Sequence, residues 1–150
     1  MRIKLFARSF FEARMGTRRE AELFRRYRII SINNISFPAE PPPFSPQFRD
    51  ADNLLVLFFD DVEAGFPNAM TTLDAGKIVS FVRIPDMCPL LIHCSAGISR
   101  SGAVGEVLNW YYNRNIQEAF HQFYKGNPDI QPNEHAKRVL WEIINRMDTI

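Results

Sequence analysis

The chain predicts an α/β domain: a mostly parallel central sheet of about four to five strands, flanked by helices, spanning residues 1–150 as one unit. Three observations carry this. Short apolar runs alternate with longer stretches of helical spacing. The run NLLVLFF, 53–59, is continuously apolar, as a strand buried on both faces requires. Hydrophobic residues make up 46% of the sequence and aromatic residues 13%, which suits a soluble domain with a full core.

The elements follow in order. IKLFA reads as the first strand. The N-terminal MRIKLFARSFF is basic and apolar like a signal peptide, but Arg8 and Glu12 break its apolar run and no small-residue cleavage site follows. TRREAELFRRY reads as a helix with a basic outer face (Arg18, Arg19, Arg25, Arg26 and Arg28, mostly a solvated surface), and RIISIN as the second strand. PAEPPPFSP, 38–46, holds five prolines in nine residues and reads as a stiff connecting loop. After strand 53–59, Leu73, Ile78, Val79 and Val82 recur at roughly helical spacing from about Thr72 to Arg83, with Thr71 or Thr72 as the cap. PLLIHC is the next strand. A helix runs from near Arg100 to about Arg114. Asn115 with Glu118 suggests a capping box for a helix stopping at Gly126, and Pro132 fits the first turn of a last helix ending near Met147. Trp110, Tyr111, Phe120 and Phe123 on these helices read as core.

Charge is nearly balanced, 18 basic against 17 acidic residues, so composition points to neither a nucleic-acid nor a membrane partner. No apolar run reaches the roughly 20 residues of a membrane helix. Cys88 and Cys94 are too few for a disulfide framework and suggest a reducing cytoplasm. An extended strand between them would hold the two sulfurs apart. His121 and His135 have no partners at metal-ligand spacing, so no metal or other cofactor is expected.

The chemistry concentrates in HCSAGISRSG, 93–102. Ligands of open α/β sheets bind at the carboxyl ends of strands, and Cys94 falls at one. The following helix turns its unpaired N–H groups and positive end toward the loop. The small residues Ser95, Ala96, Gly97, Ile98 and Ser99 let successive N–H groups curl inward around a phosphate-sized anion. Arg100 can hold two oxygens of that anion with its planar fork. Such surroundings lower a thiol's pKa, to about 3.5–7.5, and give a nucleophile at neutral pH. Attack on phosphorus would form a cysteinyl-phosphate, stabilised by Arg100 and the backbone amides. Ser101 is a candidate to donate to the departing sulfur, and His93 to orient the loop through hydrogen bonds. The leaving oxygen also needs a proton. Asp60 and Asp61 end a parallel strand 34 and 33 positions before Cys94. Adjacent residues on an extended chain point opposite ways, so at most one faces the site. Asp86 lies in the turn before the Cys94 strand, at the wrong end of the sheet.

His93-Cys94-x5-Arg100-Ser101 resembles the signature of the protein tyrosine phosphatases. LLIHCSAGISRSGAV is similar to the compact dual-specificity branch and its bacterial relatives, and FFDDVEAG to the segment supplying the general acid there. The resemblance implies a phosphatase fold and assigns the acid to Asp61, with Asp60 in reserve. NPDIQPNEH resembles the Pro-Asn element opening the last helix, which implies that Asn133 braces the signature loop. It is strong over 90–110, fair over 52–64 and 127–140, and weak before 35; the proline loop has no counterpart in it.

The implied activity is phosphomonoester hydrolysis on a phosphorylated protein, phosphotyrosine first, or on a small phosphomonoester. Phosphoinositide phosphatases of similar sequence tend to carry lysines within the loop; residues 95–99 offer none. An inactive phosphopeptide-binding module, an RNA 5′-phosphatase and a rhodanese-type sulfurtransferase are the alternatives. The near-neutral charge argues against a polyanionic RNA substrate, and a sulfurtransferase needs neither an Asp61-like acid nor the Ser101 hydroxyl.

Overall fold

A computed structural model describes residues 1–83 and 88–148. Among them, four strands form one sheet: β1 (Ile3–Ala7), β2 (Arg28–Asn33), β3 (Leu54–Phe58) and β4 (Leu90–Cys94). Their order is β1-β4-β2-β3, and every pairing is parallel. The helices are α1 (Arg8–Glu12), α2 (Arg18–Arg26), α3 (Thr72–Val82), α4 (Arg100–Asn113), α5 (Gln117–Gly126) and α6 (Glu134–Asp148). A parallel sheet needs crossovers that cover its faces, and the helices supply them.

Strand alternation divides the core into two layers. Ile3, Leu5, Ile30, Ile32, Leu57, Leu90, Ile92 and Cys94 pack with residues of α3–α6 on one face. Ile29, Leu54 and Leu91 turn the other way, onto Phe11 of α1, Phe24 of α2 and Phe44 of the proline-rich loop. That loop therefore does more than connect: Phe44 sits edge-on to both Phe11 and Phe24. Pro46–Phe48 adds a short 3-10 turn, in which Phe48 stacks on Phe24.

Local chemistry sets the ends of the helices. Thr71 caps α3 by accepting from the Asp74 N–H at 3.1 Å, while the Asp74 carboxylate accepts from the Thr71 N–H at 2.9 Å. α4 is buried almost all round its first two turns because it lies directly on the sheet. Gly105 permits that approach: a Cβ there would stand 2.9 Å from the Leu5 side chain and 3.0 Å from the Phe123 ring. Asn127 guards the outer edge of β1, accepting from the Leu5 N–H and donating to the Ile3 carbonyl.

Several expectations need correction. The Asn115–Glu118 capping box does not form; Ile116 occupies the cap of α5 with no side-chain bond. Pro132 precedes α6 rather than entering its first turn, and Asn133 Oδ1 takes the Ala136 N–H at 2.9 Å instead. The helix α1 was not expected, because five residues carry too little periodicity to read. Leu73 is exposed, on the outer side of α3. Of Trp110, Tyr111, Phe120 and Phe123 only Phe123 is fully buried; Trp110 is half-buried, tilted against Trp141 and covered by Arg114. Arg28 does not belong to the solvated basic face: it is buried, its guanidinium 4.1 Å from the Phe81 ring centre.

Candidate active site

The carboxyl ends of the strands place the site. β4 ends in His93 and Cys94, whose side chains leave opposite faces of the sheet. Cys94 is turned toward α4, 2% exposed, its Sγ 3.2 Å from Ser101 Oγ. Residues 95–99 then bend into α4. Gly97 sits in the left-handed region, φ 73°, and a Cβ there would meet the Phe6 and Ala7 backbone at 2.5–2.7 Å.

Three outward carbonyls fix that bend. Ser95 O accepts from the Arg8 N–H, Ile98 O from Gln131 and Ser99 O from Asn133, at 3.2, 3.1 and 3.0 Å. In planar trans peptides the following N–H groups, of Ala96, Ser99 and Arg100, point away from those partners. They are left as donors for an anion.

Arg100 opens α4 and is 3% exposed. Its Nη1 donates to Asn34 Oδ1 at 2.7 Å and to the Phe59 carbonyl at 2.8 Å, and its Nη2 to Ser95 Oγ at 2.7 Å. Its Nε is buried and finds no partner among the described residues. A buried donor of a charged group without an acceptor is costly, and an anion in the loop would satisfy it.

Asp60 and Asp61 do not end the strand, as the sequence suggested, but lie past β3, which stops at Phe58, and there they turn to different partners. Asp60 turns inward, 8% exposed, and accepts from the Ile35 and Ser36 N–H groups at 2.8 and 3.2 Å. Burial alone would push its carboxyl up. Hydrogen bonds from the Ser36 side chain, the Ile35 and Ser36 N–H groups and the Asn68 side chain outweigh burial and hold it below the ordinary carboxylate value. Asp61 turns to the loop, its Oδ1 accepting from Ser99 Oγ at 2.7 Å and Asn133 Nδ2 at 2.8 Å. Asn133 Nδ2 also reaches the Val62 carbonyl at 3.1 Å. Asn133 thus bonds the Asp61–Val62 segment as well as the loop at Ser99. Asp86 lies outside the described residues.

His93 is fully buried against Phe11 and Phe44, its Nε2 2.6 Å from Ser31 Oγ. Burial pushes its pKa down to about 3; the bond to the Cys94 carbonyl opposes this, and the charges of Arg8 and Arg100 add to it. It is therefore neutral at working pH, a fixed hydrogen-bonding support. Cys88 and Cys94 are not disulfide-bonded.

Sequence reasoning missed four contributors. Asn34 follows β2 and takes Arg100. Ser31 supports His93 from the neighbouring strand. Glu40, from the proline-rich loop, accepts from Ser95 Oγ at 2.8 and 2.9 Å and from the Asn34 N–H at 3.0 Å. Arg8 donates to Asn33 Oδ1 and the Pro41 carbonyl and lies 4.0 Å from Glu40. The only signal for any of them was position: Asn34 and Arg8 each follow the end of an apolar strand.

No family model and no curated protein sequence matches the chain. Solved structures do match its fold. Tk-PTP in its active form superposes with a TM-score of 0.54 at 20% identity, over 97% of this chain and 93% of that one. Human DUSP28 gives 0.55 at 18%, over 98% and 94%. PTPMT1 in complex with PI(5)P gives 0.55 at 18%, over 99% and 93%. The fold is that of the protein tyrosine phosphatases. In this fold Cys94 ends β4 while Arg100 and Ser101 open α4, at the two ends of one loop, and Asp61 reaches that loop through Ser99. Among the described residues no cluster of His, Cys, Asp and Glu could hold a metal, and no helix is long and apolar enough to cross a membrane.

Proposed function

We propose that this protein is a cysteine-dependent phosphomonoester hydrolase, a protein tyrosine phosphatase of the dual-specificity type acting on phosphorylated protein. The observation that carries the proposal is the buried, unpartnered Nε of Arg100 beside a loop whose outward carbonyls leave N–H groups for an anion, with Cys94 at its base.

Cys94 attacks phosphorus as the thiolate. The S–P bond forms as the bond to the leaving oxygen breaks, and Asp61 gives its proton to that oxygen. Arg100 and the amides of the loop stabilise charge on the equatorial oxygens. Water then attacks the cysteinyl-phosphate, passing a proton to the Asp61 carboxylate. Phosphate leaves, and Ser101 donates its hydrogen bond to the returning sulfur. Asp60 is unsuited to the acid's part, since its carboxyl is turned inward and held ionised.

The test is rapid quenching of the protein with a phosphotyrosyl peptide, followed by mass spectrometry of the Cys94 peptide. A phosphate adduct on Cys94, absent in the Cys94→Ser control, supports the mechanism. Turnover with no adduct under any quench would sink it. Binding of the peptide without turnover would identify a phosphopeptide-binding module.

A further inference from the structure

The proline-rich loop bears no resemblance to the family pattern, yet it sends a side chain to the signature loop. Glu40 lies between two of its neighbours there. Its Oε1 accepts from the Asn34 N–H at 3.0 Å, and both its oxygens lie within 2.9 Å of Ser95 Oγ. The Glu40 carboxylate is only an acceptor, so Ser95 must be the donor. A hydroxyl has one hydrogen. Ser95 has therefore spent it on Glu40, and only its lone pairs face Arg100 Nη2, which is only a donor, at 2.7 Å. The directions of both bonds follow from donor and acceptor count alone.

We infer that Glu40 is a positioning residue for the anion site: by fixing the Ser95 hydroxyl as an acceptor, it aims the Arg100 guanidinium before substrate arrives. The inference rests on the reading of the loop as an oxyanion site. The relay has a second arm in Asn34, whose side chain takes Arg100 Nη1 while its N–H is held by Glu40. Glu40 thereby controls acceptors on both terminal nitrogens of Arg100 and leaves Nε for the ligand. The loop that delivers it is set on the core by Phe44 and latched by Arg8, which donates to the Pro41 carbonyl. A Ser95 hydroxyl free to rotate would instead compete for Arg100 only part of the time, and preorganisation would be lost.

The experiment is calorimetric titration with tungstate, a tetrahedral oxyanion that is not turned over. Glu40→Ala should weaken binding about tenfold, the loss expected for a charge-assisted hydrogen bond in an ordered network. Ser95→Ala should weaken it to a similar extent, and the double variant should lose no more than either single one, because both remove the same relay. Glu40→Gln keeps an oxygen where Oε1 accepts both bonds, and should restore binding to within about threefold of the wild type. Losses that add to about a hundredfold, unchanged binding in Ser95→Ala, or tighter binding in Glu40→Ala (a carboxylate that only repels the anion) would each overturn the inference. If Glu40→Ala does not fold, Ser95→Ala and Glu40→Gln decide it alone. Wild-type protein that binds no tungstate would overturn the reading of the loop itself.

Discussion

Asn133 donates from Nδ2 to Asp61 Oδ1 at 2.8 Å, and its backbone N–H donates to the Ser99 carbonyl at 3.0 Å. One residue thus ties the Asp61 segment after β3 to the 95–99 loop after β4. It can do both because its Oδ1 is occupied in capping α6, through the Ala136 N–H.

That double role can be split by mutation. Asn133→Ala should lose the cap, at about 0.5–2 kcal/mol of stability, and also lower turnover. Asn133→Asp should keep the cap, since Asp caps as well as Asn, but set a like charge against Asp61. Thermal melting near wild type with impaired kcat is the expected outcome for Asn133→Asp. Equal damage to stability and kcat in both variants would reject the positioning of Asp61 by this side chain.

Asp61→Asn should reduce kcat on a phosphotyrosyl peptide by about 10²–10³ and far less on an aryl phosphate with a good leaving group. The fall of wild-type kcat at high pH should also flatten in this variant. Asp60→Asn should instead lower stability, because its carboxyl is held down by four hydrogen bonds. A carboxyl lowered on folding stabilises above its unfolded value and loses that contribution as pH falls below it. The reverse pattern between the two variants would exchange their roles.

His93 gives a pH signature in stability rather than in rate. Its folded pKa is lowered to about 3 from an ordinary 6.5. Between those values the unfolded chain binds a proton that the folded chain refuses. Stability therefore falls as pH drops from about 6.5, by up to about 1.4 kcal/mol per pH unit from this group. Urea unfolding of wild type and His93→Gln at pH 7.5, 6 and 5 measures it. The variant should show the shallower dependence, and parallel curves would mean that His93 takes up its proton in the folded state.

Gly97→Ala is expected to abolish oxyanion binding while leaving the sheet intact. The added Cβ would meet backbone atoms of Phe6 and Ala7, which cannot swing aside as a side chain could, and φ is 73°. Displacing the loop by even about 1 Å costs on the order of 10²-fold in rate. Wild-type tungstate affinity in Gly97→Ala would show that the loop tolerates rearrangement at this point.

Much of the fold was legible because two strands lie in short apolar runs bounded by polar or turn residues, although β3 proved only partly buried, with Phe58 exposed. NLLVLFF and PLLIHC are such runs, and the glycine and small residues after Cys94 marked the turn into α4. Alternation allowed at most one of Asp60 and Asp61 to face the site, the family resemblance chose Asp61, and the structure places both just past β3. Glu40 could not be read, because a loop of five prolines has no period by which to place a side chain. Arg28 looked like one more arginine of a basic helix face; it lies two residues past the end of α2, in a strand, where its direction is set by the sheet. The Asn115–Glu118 pair had the right spacing for a cap but the wrong register by one residue, which no local signal distinguishes.

The most direct measurement is hydrolysis of para-nitrophenyl phosphate from pH 5 to 8, with reducing agent and no added metal, for wild type and Cys94→Ser. The expected result is metal-independent turnover that vanadate blocks, that falls at the alkaline end, and that Cys94→Ser abolishes. Turnover that survives in Cys94→Ser would contradict a cysteine nucleophile, and its absence in a wild-type protein that still binds tungstate would contradict catalysis altogether.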